Sequence, residues 1–265
     1  MTLICARLKP SGGADTRMSI QSQKDLIALK EVGRIVHLAL AAMRRMVCPG
    51  ISTWELADVG GQVMRLNGAR SAPAMVYGFP GDVLISLNDE AVHGVPSPSR
   101  KVHQGDLVKL DVTFEKDGYM ADAAITVPVE PVSNEAKRLA ACAERAFQKA
   151  LQVARAGHRV NEIGRAVERE VRASGFRVIR ELSGHGIGRT IHEPPSVLNF
   201  DDGKRWPLLR PGQVLTVEPI IAMGSGVPAE AEDGWTVKTA DGSLSAHYEH
   251  TLVITDAAPI LLTAA

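Results

Sequence analysis

Only three cysteines occur in the 265 residues, Cys5, Cys48 and Cys142. So few thiols, so widely spaced, exclude a disulfide framework and a cysteine-based zinc knuckle. Excess charge is missing as well. Thirty basic side chains balance thirty acidic ones, which removes the electrostatic footprint of sequence-specific nucleic-acid binding or of a membrane-surface patch. No apolar run approaches the length needed to cross a bilayer. The mildly apolar opening, Met1 to Ala6, is interrupted by Arg7 and Lys9 before it reaches signal-peptide length. A soluble, cytoplasmic chain without membrane contact is the expectation. Several catalytic devices are lacking too. There is no Gly-x-Ser-x-Gly elbow, no thiol beside a plausible base, and no phosphate loop ending in Lys-Ser/Thr.

Hydrophobic residues at 45% and charged residues at 23% fit an ordinary globular protein. Residues 1–18 carry Pro10, Ser11, Gly12, Gly13 and Asp15 and are expected to form a flexible extension, with Met18 as an alternative start. The remaining residues, 19–265, are expected to form one catalytic domain. Apolar residues at helical spacing predict a helix over about 23–47, stopped by Cys48-Pro49-Gly50.

An internal echo then organises the chain. Gly50 and Glu55 recur as Gly157 and Glu162, and Asn67-Gly68 recurs as Ser174-Gly175, each pair 107 residues apart. The same offset relates Gly105-Asp-Leu-Val-Lys-Leu-Asp111 to Gly212-Gln-Val-Leu-Thr-Val-Glu218. Leu56, Val59 and Val63 answer Ile163, Ala166 and Glu170, with only the last unlike. Two similar halves follow, each a helix pair and then strands, with Asp111 and Glu218 in equivalent places and the site between them.

Five residues stand out chemically: Asp111, Asp122, His185, Glu218 and Glu249. Leu107 to Val127 is predicted to be a hairpin turning at Asp117-Gly118. A two-residue loop places Thr113 opposite Asp122, and a four-residue loop places Asp111 there. Either way both aspartates share one face within roughly 5–8 Å. His185 lies in the glycine-rich Ser183-Gly-His-Gly-Ile-Gly-Arg189, where missing side chains permit close approach to a ligand. Glu218 and Glu249 occupy apolar strand-like runs, and a buried glutamate without a partner is costly. Four acids cannot ionise together at close range without cations, and carboxylate plus imidazole suits divalent ions. A two-metal hydrolytic centre is the expectation, with arginine partners as the alternative. His93 shares a turn-rich setting, His192 precedes Glu193-Pro-Pro, and His37, His103, His158 and His247 are read as surface or packing residues.

The stretches Asn88 to Pro96, Gly184 to Arg189 with His192-Glu-Pro-Pro, Thr216-Val-Glu-Pro, Gly234-Trp-Thr and Ser245-Ala through Glu249-His-Thr resemble the type I methionine aminopeptidases. The resemblance runs from about Ser19 to Thr255. It implies an α+β, pseudo-twofold "pita-bread" fold, a curved antiparallel sheet covered by helices. It also implies two divalent ions per chain, as Co, Mn, Fe(II) or Zn. Asp111 would hold one ion, Asp122 and Glu249 would bridge both, and His185 and Glu218 would complete the second. His93 and His192 would lie outside the ligand set, beside the scissile peptide and its developing oxyanion. Glu218 would carry the proton from water to the leaving amine, and Trp235 would wall the pocket. The implied substrates are N-termini of peptides and nascent chains, met at the ribosome by a monomer.

The sequence departs from that pattern in places. Ala121 and Ala123 flank Asp122 where glycine and threonine are usual, removing a hydroxyl. Pro73, Val76, Leu84 and Ile191 stand where cysteine or aromatic residues are frequent, and His247 replaces a common glutamine. The alternatives are a proline-directed peptidase, for which Ile220-Ile221 after Glu218-Pro219 is the wrong continuation, and a binding protein that kept the fold without the chemistry.

Overall fold

The computed structural model describes residues 20–264. The expected extension 1–18, the alternative start at Met18, Ser19, Cys5 and Ala265 lie outside the described residues. Five α-helices are present among these: α1 (Gln23–Met46), α2 (Thr53–Leu66), α3 (Ala72–Tyr77), α4 (Asn134–Leu151) and α5 (Val160–Ala173). Helix α1 matches the predicted helix closely. It starts because Ser22 Oγ accepts the Asp25 N–H at 3.2 Å, with Asp25 favourably placed in the first turn.

The large sheet holds nine strands, introduced here in chain order: β1 (Arg70–Ser71), β2 (Leu84–Leu87), β3 (Leu107–Lys116), β4 (Tyr119–Pro128), β5 (Ser183–Gly186), β6 (Glu193–Leu198), β7 (Val214–Val217), β8 (Glu249–Val253) and β9 (Ile260–Leu261). Their order is β1-β3-β4-β8-β7-β5-β6, with β2 added on β3 and β9 on β8, all antiparallel. Two three-stranded sheets flank it.

The β3–β4 hairpin shows how the sequence sets the site. Asp117 and Gly118 take φ of 52° and 81°, the left-handed pair of a two-residue turn, so Lys116 pairs with Tyr119 and Thr113 with Asp122. Of the two registers left open by the sequence, this is the two-residue one. Side chains alternate across a strand. Val108, Leu110, Val112 and Phe114 therefore pack under α1 and α2 with Ala121 and Ala123. Lys109, Asp111 and Thr113 fall on the opposite face with Asp122. A one-residue slip would exchange the core face for the acids, and that penalty fixes the register.

The echo of 107 residues is written in hydrogen bonds. Ser52 N donates to Glu55 at 2.7 Å, and Arg159 N donates to Glu162 at 2.8 Å, the same helix start twice. Gly50 N donates to Val102 O and Gly157 N to Leu209 O; Thr53 N donates to Arg100 O and Val160 N to Pro207 O. Gly50 and Gly157, Gly68 and Gly175, and Gly105 and Gly212 all have positive φ. Each half carries its own core, one beneath α1 and α2, the other joining α4 and α5 to β7 and β8 through Phe147, Ile163, Val167, Val217 and Leu252. The halves meet where β4 pairs with β8, Ala124 opposite Glu249. No described helix is long and apolar enough to cross a membrane.

Candidate metal centre

At that seam the five expected ligand residues converge around one cavity of about 110 Å³, lined by Asp111, Asp122, His185, Glu218 and Glu249, and also by His93, His192 and Trp235. Ligand atoms of Asp122, His185 and Glu249 lie within 4.8 Å of one another, and Glu218, His247 and Glu249 form a second such trio. Asp111 projects from the middle of β3, Asp122 from β4, and Glu249 from the first residue of β8. Glu218 follows β7, where Pro219 ends the strand and Asn199 Nδ2 donates to the Glu218 carbonyl at 2.9 Å.

His185 sits on β5 between glycines. A Cβ on Gly184 would come 2.5 Å from Thr216 O, so only glycine permits this approach of β5 to β7. The His185 N–H donates to Thr216 Oγ1 at 3.0 Å, and the Thr216 side chain is hydrogen-bonded to Glu249. His185 Nδ1 lies 2.9 Å from Gly186 O. That contact puts the ring proton on Nδ1 and leaves Nε2 free to donate an electron pair. Thr251 Oγ1 accepts the Asp122 N–H and donates to the Asp122 carbonyl, both at 2.8 Å, which pins β4 to β8 beside the acid.

The electrostatics are severe. Burial, and then the neighbouring carboxylates Asp122 and Glu249, push Asp111 well above the usual carboxylate range. Burial and Glu249 do the same to Asp122 and Glu218, and burial raises Glu249 to about 7. Burial holds His93, His185 and His247 down to about 4, so all three are neutral imidazoles at pH 7. His192 is lowered further, first by burial and then by His185, whose ring lies 4.2 Å away. Asp122 Oδ1 and Glu249 Oε1 are buried without a hydrogen-bond partner among the described residues. Uncompensated acids and neutral imidazoles are what divalent cations require of a site, so the residues fit metal ions.

Between residues 28 and 256 the sequence matches the family described as Metallopeptidase family M24. The chain belongs to metallopeptidase family M24. Methionine aminopeptidase 2 of Bacillus subtilis (strain 168) is 45% identical over 247 residues, covering 93% of this M24 chain and 99% of that protein. Methionine aminopeptidase of Escherichia coli (strain K12) is 37% identical over 247 residues, covering 93% and 94%. The solved structure of methionine aminopeptidase from Thermotoga maritima superposes with a TM-score of 0.91 at 31% identity, covering 94% of this chain and 100% of that one. A prolidase from Pyrococcus horikoshii OT3, at TM-score 0.74 and 23% identity, shares the fold alone; this chain spans 64% of its length.

Around the candidate ligands, this M24 peptidase differs from its sequence-based expectations in three ways. His247, read as a surface or packing residue, is 2% exposed and lines the cavity with its Nε2 3.3 Å from Glu249 Oε2. Alternation along Ser245–His247 and on to Glu249 was the available signal, since positions two apart share a face. Val76 is not a pocket residue: it is half exposed, while Pro73, Leu84 and Ile191 line the cavity and Tyr77 and Phe79 supply its aromatic wall. Ala121 and Ala123 point into the core under α1, and the hydroxyl beside Asp122 comes instead from Thr113, directly across the hairpin. Trp235 stands edge-on to Phe79, ring centres 5.3 Å apart. Tyr77 shares a short hydrogen bond between its hydroxyl and His192 Nδ1.

Proposed function

We propose that the chain removes N-terminal methionine from peptides and nascent proteins by metal-dependent hydrolysis, with Asp111, Asp122, His185, Glu218 and Glu249 holding two divalent ions. The observation that carries this reading is the convergence of five buried donors on one cavity with an apolar wall. Divalent ions held there supply Lewis-acid polarisation of the scissile carbonyl and lower the pKa of the attacking water. Glu218 takes the proton from that water and returns it to the leaving amine, a role open to a carboxylate that lines the cavity beside Glu249. With Tyr77 O–H donating into Nδ1, neutral His192 keeps its proton on Nε2 and offers it to the developing oxyanion, seconded by His93. His93 is held in place by its neighbour. Gly94 O accepts the Ile85 N–H at 2.9 Å, and the Gly94 N–H donates to Ser86 Oγ at 3.0 Å.

Pro73, Phe79, Leu84, Ile191 and Trp235 present an apolar wall to the side chain of the first residue. An unbranched thioether fits such irregular surfaces well. In this reading the enzyme is a cytoplasmic monomer that meets its substrates as they leave the ribosome, without sequence-specific nucleic-acid contact. The test is methionine release from Met-Ala-Ser and Met-Lys peptides in the presence of Co, Mn, Fe(II) or Zn, with Asp111→Ala as control. Release that is lost in D111A is expected. No release with any of the metals overturns the proposal, and cleavage of an X-Pro dipeptide but not of Met peptides moves the activity to the proline-directed class.

A further inference from the structure

His247 is the one cavity imidazole to which the family resemblance gives no role. It lies two residues before Glu249, on a strand of residues 245–247 that pairs with residues 220–222 just beyond Glu218. Its backbone is locked on both sides: Thr126 Oγ1 accepts the His247 N–H at 2.9 Å and donates to the His247 carbonyl at 2.8 Å. The ring is therefore held at the acids by the sheet itself.

Neither ring nitrogen of His247 has a hydrogen-bond partner among the described residues, and Glu249 Oε1 is in the same condition. Although Nε2 lies 3.3 Å from Glu249 Oε2, the two do not align as donor and acceptor. Buried polar atoms are satisfied in the great majority of cases. A ring with both nitrogens unsatisfied, packed against acids, points to an electrophile shared with those acids. One His247 nitrogen and oxygens of Glu218 and Glu249 all lie within 4.8 Å of one another. An alternative, a protonated His247 acting as counter-ion, would align its N–H on Glu249, and that alignment is missing.

We propose that His247 is a sixth donor at the metal centre, its Nε2 joining Glu218 and Glu249 as a ligand. This rests on the metal-dependent reading above. The consequence is selectivity. An imidazole in place of the family's common glutamine adds a borderline nitrogen donor to an otherwise oxygen-rich set. Such a donor favours Co, Zn and Fe(II) over Mn and Mg.

Cobalt(II) is the probe. Hyperfine-shifted, exchangeable imidazole N–H resonances of the Co(II)-loaded protein count coordinated histidines directly, without recourse to activity. Two are expected in the wild type, from His185 and His247, and one in His247→Gln. Calorimetric titration is expected to show the preference for Co(II) over Mn(II) falling by ~10-fold or more in H247Q. A single shifted signal in the wild type, or an unchanged signal count and Co/Mn preference in H247Q, overturns the inference while leaving the metallopeptidase reading intact. Failure of the wild type to bind Co(II) overturns both. The wild-type count decides even if H247Q does not fold, and His247→Asn provides a second variant of similar polarity.

Discussion

Asp25 shows at residue scale how far from the cavity the site's support begins. Its carboxylate accepts the Tyr119 O–H at 2.7 Å, the Ser22 O–H at 2.9 Å and the Gln21 N–H at 3.0 Å, and pairs with Arg189 at 3.1 Å. Arg189 in turn stacks 3.6 Å over the Tyr119 ring and belongs to the segment that leads from His185 to His192. The hydrogen bond from Tyr119, then that from Ser22, lowers Asp25 from 3.8 to about 2. A depressed folded-state pKa contributes stability that is present above 3.8 and is lost as pH falls towards 2. Asp25→Asn is therefore expected to lower the melting temperature at pH 5, and the gap from wild type should close between pH 4 and 2. Thermal melts by circular dichroism across that range measure it, and a constant gap would contradict the assignment. A second residue-scale expectation concerns Thr113, which supplies the hydroxyl beside Asp122 that Ala123 does not. Thr113→Val keeps the shape and removes the hydrogen bond, so metal affinity should drop by about 10–100-fold with little change in melting temperature. Calorimetric metal titration distinguishes this from an unchanged affinity, which would leave Thr113 a packing residue.

Elements, rather than single residues, explain why two distant stretches reach one cavity. Lys109, on the site face of β3, is 1% exposed, and its ammonium donates to Asn88 O at 2.7 Å and to Ser245 O and Oγ at 3.2 Å. It thereby ties the turn leading to His93 to the segment that continues into His247 and Glu249. Replacing it as Lys109→Met takes the donor from the buried Ser245 carbonyl, whereas Asn88 O keeps the Ser245 N–H and O–H. Such an orphan costs about 1–3 kcal/mol, against the 0.5–1.5 kcal/mol of an ordinary hydrogen bond. Urea unfolding is expected to show a loss of at least ~1 kcal/mol in K109M, and an unchanged midpoint would show that water replaces the ammonium. Nothing local in the sequence announced this role. Its position does follow from the hairpin: Lys109, Asp111 and Thr113 alternate with Val108, Leu110 and Val112, so the face was legible once the Asp117-Gly118 turn was recognised. What alternation could not supply was the partner, because Ser245 is 136 residues away. For His247, alternation gave the face it shares with Glu249, but the pairing of its short strand with the residues beyond Glu218 is again tertiary.

At the scale of the whole molecule, the two halves were legible because duplication repeats its punctuation: turn glycines and capping glutamates recur at one offset even where the helix faces have diverged. The five candidate donors were legible as a set because buried acids are improbable without a purpose. The seam itself, β4 against β8, was not, because no local pattern encodes which strand of one half meets which of the other. In the metal-dependent reading proposed above, that seam makes the fold's stability depend on the ions. Asp122 comes from the first half, Glu249 and His185 from the second, and ligand atoms of all three lie within 4.8 Å of one another. Without cations, buried carboxylates press on each other across the joint, and their raised pKa values record the cost. Cations held there would turn the same oxygens into cross-links between halves. An ion that binds only the folded chain stabilises it by about 2.7 kcal/mol at a hundredfold excess over its dissociation constant. Chelation with excess EDTA is therefore expected to lower the melting temperature by several degrees, and re-addition of Co(II) or Mn(II) should restore it. Asp122→Asn, which lightens the repulsion and removes a ligand from the seam, should melt closer to the chelated wild type and respond weakly to added metal. Differential scanning calorimetry of the four samples decides the point: if chelation leaves the wild-type transition where it was, the ions do not join the halves.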